Sequence, residues 1–127
     1  MKKFLILTFV AICALVNTLT SSAQEKLTKE ELADYVAMLN EEFPQQLDDD
    51  NVLSKAQLIN GGNQLDFVVN INDKSINSDE YIAFLKSLSK KELRKYFADF
   101  TSVMDIVPVP VSIYFIFKDG KKYRANF

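Results

Sequence analysis

Carboxylates are the residues of this sequence whose types could support catalysis. The chain contains no histidine, and its single cysteine, Cys13, lies in an N-terminal segment that we expect to be cleaved off. Histidine-based triads, cysteine nucleophiles and zinc sites built from these residues are therefore excluded. A pair of carboxylic acids, as in glycoside hydrolases, remains. The candidates by residue type are Asp34, Glu41, Glu42, Asp66, Asp79 and Asp99. Each occupies a position where helices and strands usually carry solvated charges, so we expect no catalytic residue.

Metal and phosphate sites are equally poorly supported. Three consecutive aspartates at positions 48–50 suggest calcium, but an EF-hand loop needs ligands at alternating positions, a glycine and a late glutamate. The segment DDDN lacks that spacing. The only glycines are Gly61, Gly62 and Gly120, all in predicted turns, so no glycine-rich phosphate loop is present. The sequence therefore predicts no metal, no cofactor and no enzymatic activity.

The first 23 residues have the organisation of a secretory signal peptide. Two lysines precede an apolar run at positions 4–16, and a polar stretch with small residues follows. The run is too short to cross a bilayer core of about 30 Å comfortably. Ser21 and Ala23 occupy the −3 and −1 positions that signal peptidase favours, which predicts cleavage between Ala23 and Gln24.

Two alternatives for this segment stay open. One is an uncleaved membrane anchor; the other is a lipoprotein signal ending at Cys13, which Ile12 disfavours because a small residue should precede the cysteine. With residues 1–23 removed, residues 24–127 form one small α+β domain without disulfides. We expect that domain in the periplasm or outside the cell, without a stable membrane span.

Charge is distributed unevenly along the chain. Residues 24–85 contain four basic and thirteen acidic residues, whereas residues 86–127 contain nine basic and four acidic residues. Such asymmetry indicates either an interaction surface or two halves that attract each other across the fold. Because the exported chain is acidic overall, nucleic acid is not an expected partner.

Capping patterns locate the helices. Thr28 and Glu31 form a predicted capping box before an apolar stripe that ends near Pro44, which predicts a helix over 29–43. A second helical region begins near Asn77 or Ser78 and extends towards Met104. A further capping box at Ser89-Lys90-Lys91-Glu92 predicts that this region kinks or splits near Ser89. The apolar residues expected in its core include Leu85, Leu88, Leu93, Tyr96, Phe97 and Phe100, whereas Lys90, Lys91, Arg94 and Lys95 form a basic exposed turn.

Two hairpins complete the pattern. In the first, a turn at Gly61-Gly62 pairs Leu58 with Leu65, Ala56 with Phe67, Ser54 with Val69 and Val52 with Ile71. The resulting order is α-β-β-α-β-β. We therefore predict an α+β fold with a four-stranded antiparallel sheet and the helices packed on one face.

The closing hairpin, IYFIFKDGKKYRANF, has two possible registers. A two-residue Asp119-Gly120 turn would mix apolar and charged residues on one face, whereas a three-residue loop at 118–120 pairs Phe115 with Tyr123. The three-residue loop directs Val111, Ile113, Phe115, Phe117, Tyr123 and Phe127 towards the helices. The opposite face then carries Ser112, Tyr114, Ile116, Lys122, Arg124 and Asn126. Of these, Tyr114, Ile116, Lys122 and Arg124 form a candidate partner-contact patch, or alternatively Tyr114 and Arg124 make an ordinary cross-strand pair.

These segments together show a resemblance. The proline-terminated helix, the LSKAQLINGGNQLDFVVNIN hairpin, the lysine-rich helix and the final hairpin resemble small exported bacterial proteins of unassigned function. The element order is also similar to the repeat of β-lactamase-inhibitor-like folds, by analogy of fold alone. The resemblance implies no catalytic residues.

We therefore expect an exported, non-enzymatic binding module whose partner is a protein or small ligand in the cell envelope or outside the cell. The alternative is a protein inhibitor, or an immunity protein that neutralises a secreted enzyme or toxin. A hydrolase that uses carboxylates alone and a carrier of a small apolar ligand are further hypotheses.

Overall fold

A computed structural model describes residues 27–98 and 101–127. The predicted signal peptide, its cleavage site at Ala23–Gln24 and Cys13 lie outside the described residues, as do Asp99 and Phe100. In chain order the elements are α1 (Lys29–Glu42), β1 (Gln45–Gln46), β2 (Asn51–Ile59), β3 (Gln64–Ile71), α2 (Ser78–Ser87), α3 (Lys90–Tyr96), α4 (Thr101–Ile106), β4 (Val111–Phe117) and β5 (Lys122–Asn126). The α+β class is confirmed.

Helix α1 begins and ends as its sequence predicts. The Thr28 hydroxyl accepts the Glu31 backbone N–H, and the Glu31 carboxylate accepts the Thr28 N–H, which satisfies two helix-terminal donors. The helix ends at Glu42, and Phe43 adopts an extended conformation before Pro44.

The sheet differs from the predicted four-stranded antiparallel arrangement. It has five strands in the order β1-β2-β3-β4-β5, and the central pair β3–β4 is parallel. The prediction was wrong because three helices connect β3 to β4 and return the chain to the end of the sheet where β3 begins. Strand β1 was also missed, because its two glutamines have no apolar pattern and lie in what the sequence suggests is a polar loop.

The first hairpin follows the predicted register only near its turn. Leu58 pairs with Leu65, and Ala56 pairs with Phe67. A bulge at Ser54 then shifts the ladder, so Leu53 rather than Ser54 lies opposite Val69. The predicted Ser54–Val69 and Val52–Ile71 pairs are therefore wrong. The bulge places Leu53, which is fully buried, in the core in place of a polar side chain.

The closing hairpin has the predicted three-residue loop. Phe115 lies opposite Tyr123 and Ile113 lies opposite Ala125. The Phe117 N–H donates to the Lys121 carbonyl at 2.8 Å, and Gly120 adopts a positive φ of 91°. Phe127 donates its N–H to the Val111 carbonyl, which completes the ladder. This register turns the alternating apolar residues of β4 towards the helices.

The second helical region is split at the predicted position, and it also contains a break that was not predicted, because α3 ends at Tyr96 and α4 begins at Thr101. Helix α2 begins at the Asn77 cap, and the Ser89–Glu92 capping box starts α3. Aromatic packing joins these helices to β4, since the Phe97 ring lies 6.0 Å from Phe115 and the Tyr81 ring lies 6.0 Å from Phe117, between centroids. The buried helical residues and one face of the sheet form a single core cluster. Of the helical residues expected in the core, Leu85, Leu93 and Phe97 are buried, whereas Leu88 and Tyr96 are only partly buried. The basic turn of α3 is exposed as predicted.

Candidate functional site

The sheet face opposite the helices, called here the open face, is organised in cross-strand rows. Directly opposed residues on neighbouring strands share a face, so the registers define which side chains lie together. The rows are Gln57–Asp66–Ser112–Asn126, Lys55–Val68–Tyr114–Arg124 and Val52–Asn70–Ile116–Lys122. All three rows run across the four strands β2, β3, β4 and β5.

The four residues of the predicted contact patch lie together on the open face. Tyr114 lies opposite Arg124 and Ile116 lies opposite Lys122, on adjacent strands β4 and β5. Lys122 is exposed, and the other three are partly exposed. The Arg124 guanidinium carbon lies 4.3 Å from the Tyr114 ring centroid, within the range of a cation–π contact. The patch therefore has both an apolar surface and a fixed positive charge.

A buried carboxylate fixes the position of Arg124. The Arg124 Nε and Nη2 atoms donate to the two carboxylate oxygens of Asp66, each at 3.1 Å. Asp66 also accepts the Ser112 hydroxyl at 2.6 Å and the Gln57 side-chain amide at 2.8 Å. Each Asp66 oxygen thus accepts two donors, which compensates for its burial at 0% exposure. Hydrogen bonding to Asp66 raises the pKa of Arg124 above its ordinary value.

The structure corrects the interpretation of two residues on this face. Asp66 was expected to be a solvated charge, but it is fully buried because neighbouring donors surround it. Ser112 was expected on the outward face and lies there, yet it is fully buried between Asp66 and Gln64. One signal in the sequence marked Asp66: an acidic residue directly between the apolar residues Leu65 and Phe67 of a strand.

The polar network extends from Asp66 to the ends of the strands. The Gln64 side-chain amide donates to the Ser112 hydroxyl at 2.8 Å and to the side-chain oxygen Oδ1 of Asn126 at 3.1 Å. Asn60 in turn donates to Gln64 at 2.8 Å. These hydrogen bonds link strands β3, β4 and β5 and restrict the side chains before any partner binds.

A separate cleft of about 560 Å³ lies at the carboxyl ends of β3 and β4, beside the beginning of α2. The Ser78 hydroxyl donates to Asp119, and the Lys121 ammonium lies 2.6 Å from Asp79. The hydroxyl of Ser78 and the backbone N–H of Lys121 hold the pKa of Asp119 below its usual range. A hydrogen bond to Asp79 raises the pKa of Lys121. Asp79, Asp119 and Lys121 therefore already have partners within the cleft.

The remaining carboxylate candidates are dispersed. Asp34, Glu41 and Glu42 are exposed on α1, whereas Asp79 lies at the cleft. Asp48 accepts the Asn51 backbone N–H and side-chain amide, so it stabilises the turn before β2. Within residues 27–98 and 101–127, no cluster of three or more acidic residues has the geometry of a metal site.

Comparisons with protein-family models, curated proteins and solved structures give no significant match. Among the described residues, no helix combines the length and apolarity needed to cross a membrane. The geometry of the open face is the basis on which a function is proposed.

Proposed function

We propose that this protein is an exported, non-enzymatic binding protein whose open face contacts a partner protein outside the cytoplasm. The observation that carries the proposal is the fixed position of Arg124, which is bonded to Asp66 and stacked on Tyr114. An arginine held before binding loses little conformational entropy when a partner arrives, so its contacts contribute more to affinity. Tyrosine and arginine are also the residue types that dominate binding energy in protein interfaces.

The charge of the open face favours an acidic partner. Asp66 is compensated by Arg124, whereas Lys55 and Lys122 are exposed on the same face. Opposite charge on a partner would speed its approach and align it on the patch. Ile116, beside Lys122, offers an apolar contact within this positively charged surface.

Site-specific photo-crosslinking in the native host tests the proposal. A benzophenone amino acid placed at position 116 should give a protein adduct of defined mass. The same probe at position 37, an exposed alanine on α1, provides the matched control. A partner that proves to be a secreted enzyme or toxin would make this protein an inhibitor or immunity protein. The proposal is overturned when position 116 gives no adduct, or when position 37 gives the same one.

A further inference from the structure

The two edges of the sheet are protected to different degrees. Strand β2, near one edge, is covered in three ways. Strand β1 pairs with Val52 and Leu53, the bulge at Ser54 interrupts the ladder, and the Asn40 side chain occupies the edge at Ala56. The Asn40 amide donates to the Ala56 carbonyl and accepts the Ala56 N–H, both at 2.9 Å. A side chain thus replaces a neighbouring strand there.

The opposite edge, β5, has none of these devices within the described residues. Phe117 and Lys121 are a hydrogen-bonded pair, as are Val111 and Phe127. Because hydrogen bonding alternates along an antiparallel pair, the N–H and C=O groups of the even-numbered residues point away from β4. These outward groups belong to Lys122, Arg124 and Asn126.

Cations flank both sides of this edge. The cationic groups of Lys122 and Arg124 lie on the open face. On the helix side, the Lys86 ammonium lies 5.8 Å from the Tyr123 ring centroid. Positive charge on an edge strand disfavours pairing with a second copy of the same edge, since the cations would meet. The same charge favours an extended segment rich in carboxylates.

We infer that β5 receives an extended, acidic segment of the partner protein as a sixth strand of the sheet. The added strand hydrogen-bonds to the outward groups of Lys122, Arg124 and Asn126, and its acidic side chains face Lys122 on one side and Lys86 on the other. Main-chain hydrogen bonds provide affinity, and the flanking cations select for acidic sequences. This inference rests on the proposed function, because it specifies how the partner binds next to the contact patch.

Amide hydrogen exchange with a synthetic peptide tests the inference. The probe is a blocked hexapeptide with four central glutamates between two valines, so that glutamates project from both faces of the added strand, and it is added to the protein purified after export. Binding should slow exchange at the backbone amides of Lys122, Arg124 and Asn126 and leave Ala56 unchanged. The same peptide with lysine in place of glutamate should bind at least about tenfold more weakly. Equal binding of the two peptides, or protection confined to other segments, overturns the inference.

Two variants sharpen the test. Asn126→Pro removes an outward N–H without removing a ladder hydrogen bond, and Asn126→Ala is its matched control, because alanine keeps the N–H. We expect Asn126→Pro to weaken peptide binding about two- to tenfold relative to Asn126→Ala. Lys122→Glu should weaken binding of the acidic peptide and strengthen binding of the lysine peptide. This variant tests the inference if the proline variant does not fold. Unchanged affinity in Lys122→Glu overturns the inference.

The outcome of the peptide test can be distinguished from the outcome of the crosslinking test of the proposed function. Retained crosslinking at position 116 without peptide protection at β5 overturns the edge inference alone. Peptide protection without any crosslink at position 116 overturns the open-face proposal alone. Edge protection that grows with protein concentration in the absence of peptide would identify a second copy as the occupant and overturn the inference.

Discussion

Arg124 reaches across β4 to bind both carboxylate oxygens of Asp66, joining the edge strand β5 to the central strand β3. Asp66 is fully buried, while the Arg124 side chain is 35% exposed. The pair therefore connects a desolvated charge to a surface that a partner can contact. A mutation of Arg124 should therefore affect both stability and binding, whereas a mutation of Lys122 should affect binding and leave stability nearly unchanged.

Replacing Arg124 by methionine should destabilise the fold by about 2 kcal/mol, because it removes two charge-assisted hydrogen bonds from a buried carboxylate. The value lies below that for a fully buried pair because water screens the exposed part of Arg124. Urea unfolding measures the change. Lys122→Met, on the same strand and face, should stay within about 0.5 kcal/mol of the wild type. Equal effects of the two substitutions would contradict the role given to Asp66.

The bulge at Ser54 determines which of the adjacent residues Val52 and Leu53 contributes more to stability. Leu53→Ala should cost about 2–5 kcal/mol, because Leu53 is fully buried opposite Val69. Val52→Ala should cost less than about 1 kcal/mol, because Val52 lies partly exposed on the open face. Chemical denaturation of both variants shows which substitution costs more stability. A regular ladder without the bulge would reverse it.

Asn40 should contribute more to the free energy of unfolding than an exposed helical residue usually does. Asn40→Ala leaves the Ala56 N–H and C=O without their side-chain partner and should cost about 1–3 kcal/mol. Glu41→Ala, the next position on α1, is the control and should change little. Sedimentation at several concentrations should also show association of Asn40→Ala through the uncovered edge. A monomeric variant of wild-type stability would refute this view.

The Ser89–Glu92 capping box should make stability depend on acid pH. The Ser89 backbone N–H, and then its side chain, hold the pKa of Glu92 below its ordinary value of 4.5. The unfolded chain therefore binds a proton more readily than the folded chain, so this contribution is present above pH 4.5 and is lost as the pH falls through the lowered pKa.

Thermal unfolding of Glu92→Gln against the wild type measures this effect. The wild type should have the higher midpoint at neutral pH, and the two midpoints should converge in acid. Glu41→Gln, which caps no helix N-terminus, should not reproduce the convergence. A constant difference across the pH range would show that the Glu92 charge does not contribute.

The features predicted correctly are those that short stretches of sequence determine. The three-residue loop before β5 follows from the alternation of β4 with one glycine, and the break between α2 and α3 follows from the residues around Ser89. The positions of Tyr114 and Arg124 on one face follow from that loop. Each of these depends on neighbours a few residues apart.

The features that were missed depend on distant segments. The parallel pairing of β3 with β4 is set by how the helices pack between them, which no local pattern encodes. Without that pairing, Asp66 and Arg124 could not be placed together. The Asn40–Ala56 contact was missed for the same reason, because a helix side chain reaches a strand edge only once both elements are packed. The chemistry of the candidate site therefore could not be derived before the topology.

The parallel centre of the sheet also determines how the chain reaches its native state. Asp66 and Ser112, neighbours across β3 and β4, are 46 residues apart in sequence. The hairpins β2–β3 and β4–β5 close short loops and can form independently, whereas joining them requires closure of the long helical connection. The rate-limiting event should therefore be the docking of the two preformed hairpins. Tyr114, Ile116, Lys122 and Arg124 already share the β4–β5 hairpin, whereas the Asp66–Arg124 pair, which holds Arg124 in place, forms only in that docking step.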